Sequence, residues 1–134
     1  LHNRGEIKDT PLLDYYVTFV ASIFRSVRFG ASSAHGVANM LRFNYFLQEG
    51  AIVRNPDDGT YRIDFERMQE TIRKLSDKIL RLQGDGNYAE TSAWIGQQGK
   101  IGQQLKADLE RLERRHIPVD IVLEQGVSVL GLNP

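Results

Sequence analysis

An apolar seam in the middle of the chain constrains the fold more than any other feature. Between Phe65 and Leu82 the apolar residues recur at alternating spacings of three and four: Phe65, Met68, Ile72, Leu75, Ile79 and Leu82. This spacing places their side chains on one face of an α-helix and leaves the other faces polar. The seam covers too few heptads for a free coiled coil, so we expect this helix to pack against neighbouring helices.

A helix with a broader apolar surface is predicted near the start of the chain. Thr10 supplies a capping hydroxyl and Pro11 follows at the first helical position. Gly30 ends the pattern. The apolar residues of this segment recur at helical spacing: Leu13, Tyr16, Val17, Val20, Ile23, Phe24 and Val27. Because they cover most of the girth of the helix, we expect it to be central in the fold.

Three further helices are predicted from their caps and spacing. Ser32 or Ser33 caps a helix that runs to Gly50. Asp64 caps the seam helix, which breaks at residues 84–86. Asn87, with Glu90 three residues later, forms a capping box and opens a short fourth helix through Trp94.

A fifth helix carries Ile101, Leu105, Leu109 and Leu112 at helical spacing and ends near residues 115–116.

Two parts of the sequence predict strands. Residues 51–54 and 60–63 flank Asn55–Gly59, a turn sequence in which proline presets φ and glycine takes a positive φ. Pro118 introduces Val119–Leu123, which is rich in β-branched residues and predicts a C-terminal strand. We therefore predict a mainly α fold of about five helices with a small β-hairpin and a C-terminal β-strand. Residues 1–134 are expected to form a single domain.

Composition excludes several classes of partner. The 17 basic and 17 acidic residues balance, which argues against a nucleic-acid backbone or an anionic membrane as partner. Without cysteine, the chain has no disulfide or thiolate metal site. The longest apolar run, residues 15–24, is too short to span a bilayer, and the first ten residues do not resemble a signal peptide. We expect a cytoplasmic protein and, because Leu1 replaces an initiator methionine, a fragment of a longer one.

Common catalytic motifs are missing from the sequence. The three histidines, His2, His35 and His116, are far apart, and none belongs to a zinc-binding H-E-x-x-H helix. A metal site assembled from distant segments remains an alternative. Ser32 and Ser33 precede a helix and are interpreted as caps rather than nucleophiles. No glycine-rich phosphate-binding loop is present.

The helix opened by Ser32 and Ser33 is the best candidate for chemistry. His35 lies in its first turn, where unpaired backbone N–H groups and the helix dipole favour a carbonyl or oxyanion. Asn39 and Arg42 follow at i+4 and i+7, so the three side chains form one polar stripe. A solvated surface stripe is the alternative that spacing alone leaves open. Arg25 and Arg28 are likewise interpreted as surface charge.

These residues carry a family resemblance. The stretch Tyr16–Gly30 (YVTFVASIFRSVRFG), followed by Ser33–Asn39 (SAHGVAN), resembles the C-terminal part of the dipeptidyl peptidase III family. It is closest to the bacterial branch, whose members are often labelled zinc-dependent hydrolases, and in plants a similar region is joined to a nudix hydrolase domain. Residues 65–84, 86–88 and 117–126 also fit, so the resemblance covers nearly the whole chain.

The resemblance implies a specific chemistry. Members of the family are zinc exopeptidases that release dipeptides from peptide N-termini, and a largely helical lobe faces a second lobe across a cleft. Their zinc is held by an H-E-x-x-G-H helix and a later glutamate, and this chain contains neither motif. His35 matches a cleft histidine that helps to stabilise the reacting carbonyl. Asn39 stands where the peptidases carry arginine, and Asn39 and Arg42 are candidates for substrate binding.

We therefore expect the C-terminal piece of a dipeptidyl peptidase III-like hydrolase that cleaves peptide bonds when complete. The piece would contribute one cleft wall but no metal ligands, and the zinc would belong to the full-length parent. Its partners would be the upstream half of its own catalytic domain and, in the parent, a peptide substrate. Alone the chain should be inactive, since nothing in it activates water. A non-catalytic helical interaction or scaffold module is the alternative, and self-association through the seam is a third.

Overall fold

The computed structural model describes Gly5, residues 11–120 and residues 126–131. Its elements in chain order are α1 (Leu12–Val27), α2 (Ala34–Gln48), β1 (Ile52–Arg54), β2 (Tyr61–Ile63), α3 (Phe65–Gly84), α4 (Tyr88–Gln98), α5 (Gln103–Arg114) and a 3₁₀ turn (Val127–Leu130). The mainly α architecture with one hairpin confirms the predicted fold class. Of the predicted C-terminal strand Val119–Leu123, residues 121–123 lie outside the described residues, and the described Val119 and Asp120 are not in a strand.

Side-chain caps begin three of the helices where the sequence predicts them. The Ser33 hydroxyl accepts a hydrogen bond from the Gly36 amide at 3.1 Å, which selects Ser33 rather than Ser32 as the cap of α2. Asp64 caps α3 in the same way, and Asn87 caps α4. Each cap satisfies a backbone N–H that has no partner inside its helix.

Several helix boundaries differ from the prediction. α5 begins at Gln103, so Ile101, which is predicted to belong to this helix, precedes it. α2 ends at Gln48, two residues before Gly50.

α1 begins at Leu12 with Pro11 as its N-cap, one residue later than expected, and Thr10 lies outside the described residues. α4 continues past Trp94 to Gln98, because no proline interrupts it before Gly99 takes the C-cap position. The Trp94 indole N–H donates to the Gln98 side chain at 2.9 Å and ties the added turn to the preceding one.

The hairpin has the predicted antiparallel form. Ile52 pairs with Ile63 and Arg54 pairs with Tyr61. The connecting turn closes through a hydrogen bond from the Gly59 amide to the Asn55 carbonyl at 2.9 Å. Gly59 has a φ of +68°, a conformation that glycine adopts without strain.

The core lies where α1, α2, the hairpin, α3 and α5 meet. Its largest fully buried side chains are Phe43, Phe46, Ile23, Met40, Ile52, Met68 and Val27. Phe24 links the elements by packing edge-on against Phe43 at 5.2 Å and against Tyr61 at 4.8 Å between ring centroids. The α3 seam packs against this core through Met68 and Leu75, as its spacing predicts.

α1 is less buried than the sequence predicts for a central helix. Val20, Ile23 and Val27 are its buried residues, whereas Val17 is 50% exposed and Tyr15 is 40% exposed. Only one stripe of the helix packs against described residues, although apolar side chains surround most of it. No helix in the described ranges is both long and apolar enough to cross a membrane.

Candidate functional site

His35 projects from the first turn of α2 into solvent. Gly30, with a φ of +93°, turns the chain after α1, and the Ser33 cap then opens α2 two residues before His35. The side chain is exposed, and within the described part of the chain nothing hydrogen-bonds to its ring. The imidazole is therefore free to donate to or accept from an external group beside the positive end of the helix dipole.

Asn39 and Arg42 continue the stripe one and two turns further along α2. Asn39 is half-buried, and its amide nitrogen donates to the Ser26 hydroxyl of α1 at 2.9 Å. Its amide oxygen accepts from the Arg42 guanidinium at 3.2 Å. The structure thus joins Asn39 and Arg42 directly, and places His35 on the same helix without a contact to either.

The start of α2 lies directly on the turn that precedes it. A Cβ atom at Gly36 would stand 2.7 Å from the Cα atom of Ala31 and 2.9 Å from the carbonyl oxygen of Gly30. Both are backbone atoms that cannot rotate away, so only glycine fits here without a shift of the helix. The residue beside His35 therefore sets how closely α2 approaches the end of α1.

Arg28 is not the surface charge that the sequence indicated. It is half-buried, and its guanidinium donates to the carbonyl oxygens of Ile117 and of Pro118, the latter at 2.7 Å. Its Nε atom is buried and has no hydrogen-bond partner among the described atoms. Arg25 pairs with Asp120 at 3.0 Å, with both side chains more than half exposed. The last turns of α1 thus hold both the α2 helix and the 117–120 connection.

A buried polar cluster that sequence reasoning missed joins the hairpin to α5. Asp108 is 8% exposed and accepts two hydrogen bonds from the Arg54 guanidinium, at 2.8 and 2.9 Å. The Tyr61 hydroxyl donates to the same carboxylate at 2.7 Å. The hydrogen bonds from Arg54 hold the pKa of Asp108 at about 2, and burial raises the pKa of Tyr61. Because the carboxylate is fully paired, this cluster stabilises the fold.

Arg111, one turn after Asp108, extends the contact between α5 and the hairpin turn. Its guanidinium donates to the carbonyl oxygens of Asp58 and Gly59 at 2.9 and 3.1 Å. The sequence does predict the turn at Asn55–Gly59. It gives no signal that Arg111, more than fifty positions later, binds that turn.

The described residues contain no group of three or more histidine, cysteine, aspartate or glutamate side chains that could hold a metal ion. His35 and His116, the two histidines in the described ranges, have no such companions. These described residues could therefore not hold the zinc that the family resemblance assigns to the parent, and we derive no chemical step through a metal from them.

Two apolar depressions lie along α1 and the hairpin. The first has a volume of about 410 Å³ and is lined by α1, Ile52 and β2, with Val17, Ala21 and Phe24 among its walls. The second, of about 320 Å³, lies between Phe24, the hairpin turn and α5. Together they give this side of the molecule a largely apolar surface.

Comparison with known proteins identifies similar regions in larger chains. No family model matches. The Arabidopsis thaliana protein Nudix hydrolase 3 is 37% identical over 121 residues, which are 90% of this chain and 16% of the plant protein. The chain thus spans about a sixth of the curated relative that it matches.

Two solved structures share the fold. The structure of DPP III from Caldithrix abyssi superimposes with a TM-score of 0.73 at 35% identity, covering 79% of this chain and 20% of that one. The structure of dipeptidyl-peptidase III from Corallococcus sp. strain EGB gives a TM-score of 0.72 at 37% identity, covering 80% and 19%. The chain therefore has a dipeptidyl peptidase III-like fold and corresponds to about a fifth of the length of those proteins.

Proposed function

We propose that this chain is the C-terminal piece of a dipeptidyl peptidase III-like zinc hydrolase and forms one wall of its active-site cleft. The observation that carries the proposal is the match of about four fifths of the chain to two dipeptidyl peptidase III structures at 35% and 37% identity. The surroundings of His35 are consistent with it, because the ring is exposed and points away from the packed core.

His35 is the residue to which we assign a role in the reaction. Placed at the N-terminal end of α2, its ring donates a hydrogen bond to the carbonyl oxygen of the peptide bond under attack. This bond strengthens as negative charge develops on the oxygen, so it stabilises the transition state more than the bound substrate. The exposed Arg42 guanidinium, two turns further along, is available to bind the substrate.

The surface of α1 supports a partner within the same parent protein. A helix that is apolar around most of its girth is normally buried over most of it. In α1, however, four apolar side chains remain between 36% and 50% exposed: Leu13, Tyr15, Val17 and Phe19. An apolar surface of this kind marks an interaction site. In the proposal the upstream half of the catalytic domain covers it.

The zinc of the parent is assigned to that upstream part. The described residues contain no cluster that could hold a catalytic metal ion, and on this proposal the isolated chain is expected to show no peptidase activity. We further propose that the parent is a cytoplasmic enzyme that acts on peptides.

The proposal is tested by replacing His35 with alanine in the full-length parent. We expect kcat on a dipeptidyl substrate to fall by about 100-fold, since one transition-state hydrogen bond is lost. The unfolding free energy should change by less than about 0.5 kcal/mol, because the side chain is exposed.

The matched control is His116→Asn at the other described histidine, which has a φ of +55° that asparagine tolerates. This variant should retain full turnover. Unchanged turnover in His35→Ala would contradict the assignment.

A non-catalytic helical module is the second candidate. The observation that favours it is the match to a plant protein named as a nudix hydrolase, in which the similar region makes up 16% of the length. The complete reading frame separates the two candidates. An upstream H-E-x-x-G-H helix with a later glutamate supports the peptidase, and its absence supports the module.

A further inference from the structure

Asn39 occupies a special position between α1 and α2. It lies four residues after His35, on the same face of α2, and its amide reaches across to the Ser26 hydroxyl in the last turn of α1. Among the described residues, this is the only side-chain hydrogen bond between the two helices. The bond is partly shielded from solvent by the helices that it joins.

The rest of this interface consists of apolar contacts. Ile23 and Val27 of α1 and Met40 and Phe43 of α2 are buried in the common core. Apolar packing holds the helices together but is non-directional, whereas a hydrogen bond requires a narrow range of distance and angle. The Asn39–Ser26 bond is therefore the directional side-chain contact between the described parts of α1 and α2, and it lies one turn from His35.

Both ends of the Asn39 amide are already engaged by the protein. The nitrogen donates to Ser26, and the oxygen accepts from Arg42 at 3.2 Å. A side chain held in this way is better suited to fixing its neighbours than to contacting a substrate. It orients the Arg42 guanidinium directly and orients His35 through the helix.

We propose that Asn39 is a positioning residue that, through Ser26, fixes the His35 turn of α2 and the direction of the Arg42 side chain. The inference deepens the proposed function and rests on it for its catalytic consequence. Its structural part concerns this chain alone and can be tested in the chain alone.

The test uses nuclear magnetic resonance on the 134-residue chain. The Val37 backbone N–H donates to the Ser33 carbonyl in the first turn of α2. Removing the side-chain amide in Asn39→Ala should raise the hydrogen-exchange rate of this N–H by about 3- to 10-fold. The His35 ring resonances should shift. Ser26→Ala should produce the same two changes, because it removes the other partner.

Asn39→Asp provides the conservative rescue. The Ser26 hydroxyl can donate to the new carboxylate, which also keeps an acceptor for Arg42, so exchange and His35 resonances should return toward those of the original chain. The matched control is Asn44→Ala, also on α2, whose amide instead donates to the Gln98 and Lys100 carbonyls. It should leave the Val37 amide and the His35 ring unchanged.

The proposal is overturned if Asn39→Ala leaves both signals as they are, or if Asn39→Asp behaves like Asn39→Ala. In the parent, Asn39→Ala should lower kcat more than it raises KM, and Asn39→Asp should restore kcat. If His35→Ala leaves turnover unchanged while the resonance results hold, the proposed function fails and the positioning of His35 by Asn39 stands.

Discussion

Asp108 is only 8% exposed, although aspartate is among the residues least often buried. The cost of burying this charge is offset by three hydrogen bonds, two from Arg54 and one from Tyr61. This arrangement holds α5 against the hairpin at a point where the core would otherwise end. Its electrostatics lead to a specific pH dependence.

We expect the stabilisation from Asp108 to be complete near neutral pH and to disappear in acid. The pKa of Asp108 is about 2 in the folded protein and 3.8 as its ordinary value, so the contribution is present above the higher value and is lost as the pH falls toward the lower one. The difference corresponds to about 2 kcal/mol. Urea denaturation of the original chain and of Asp108→Asn should therefore show a gap of about this size at about pH 7.

At about pH 2 the gap should shrink, because the protonated carboxyl group resembles the amide that replaces it. A difference in unfolding free energy that stays constant across this range would contradict the assignment of the pKa shift to the Arg54 pair.

At the scale of elements, the start of α2 is determined by a close approach to the turn before it. Gly36 faces backbone atoms of Gly30 and Ala31, whereas Gly96 in α4 has no atom within 4 Å of a Cβ built at that position. The two helical glycines therefore predict opposite effects of the same substitution.

Gly36→Ala should destabilise the chain by about 1–3 kcal/mol, since the added methyl group forces α2 away from the turn. Gly96→Ala should stabilise it by about 0.5–1 kcal/mol, because alanine restricts the unfolded chain and fits the helix. Thermal unfolding of the two variants measures both effects. If Gly36→Ala is tolerated as well as Gly96→Ala, the inference that α2 packs closely against the turn at Gly30 and Ala31 is wrong.

The two arginines at the end of α1 differ in what they contribute. Arg28 is half-buried and donates to two backbone carbonyls of the 117–120 connection. Arg25 instead forms an ion pair with Asp120, and the two side chains are 63% and 60% exposed. An exposed ion pair adds little to stability, but two hydrogen bonds from one charged guanidinium that is itself half-buried add more.

Arg28→Gln should therefore loosen the connection after α5. We expect trypsin to cleave after Arg114 and Arg115 about tenfold faster than in the original chain, because local opening exposes these bonds. Arg25→Gln is the control and should leave the cleavage rate nearly unchanged. Equal rates in the two variants would show that Arg28 does not hold the connection.

At the scale of the whole molecule, the side formed by α1 and the hairpin presents apolar side chains to solvent. α1 and the hairpin border the 410 Å³ depression, and Val17 at its edge is half exposed. Single exposed apolar residues such as Leu80 on α3 are common, but a contiguous apolar surface is not. This contrast leads to a comparison between the chain and the full-length parent proposed above.

Val17→Glu should change the stability of the isolated chain by less than about 0.5 kcal/mol, because the side chain is half exposed there. In the full-length parent it should destabilise by about 3 kcal/mol or more, since it would place an unpaired charge in the proposed interface. Leu80→Glu should be tolerated in both. Equal stability of the Val17→Glu parent and the original parent would remove the support that α1 gives to the proposed partner.

Much of the fold could be predicted because its signals are local. The caps at Ser33, Asp64 and Asn87 bond to amides three residues away, and the α3 seam repeats within single turns. The location of His35 in the first turn of α2 follows from the same local rules. The family that the sequence resembles, dipeptidyl peptidase III, is also the class of protein to which the two solved structures belong.

The sequence by itself determined where the helices and the hairpin form, and which helix presents His35. Only the tertiary structure decided that Asp108 binds Arg54, that Arg28 binds the 117–118 carbonyls and that Asn39 binds Ser26. It also decided that α1 buries one stripe rather than its whole girth. The physical reason is the range of each interaction: caps and periodicity act within a few residues, whereas burial and pairing depend on which distant surfaces meet.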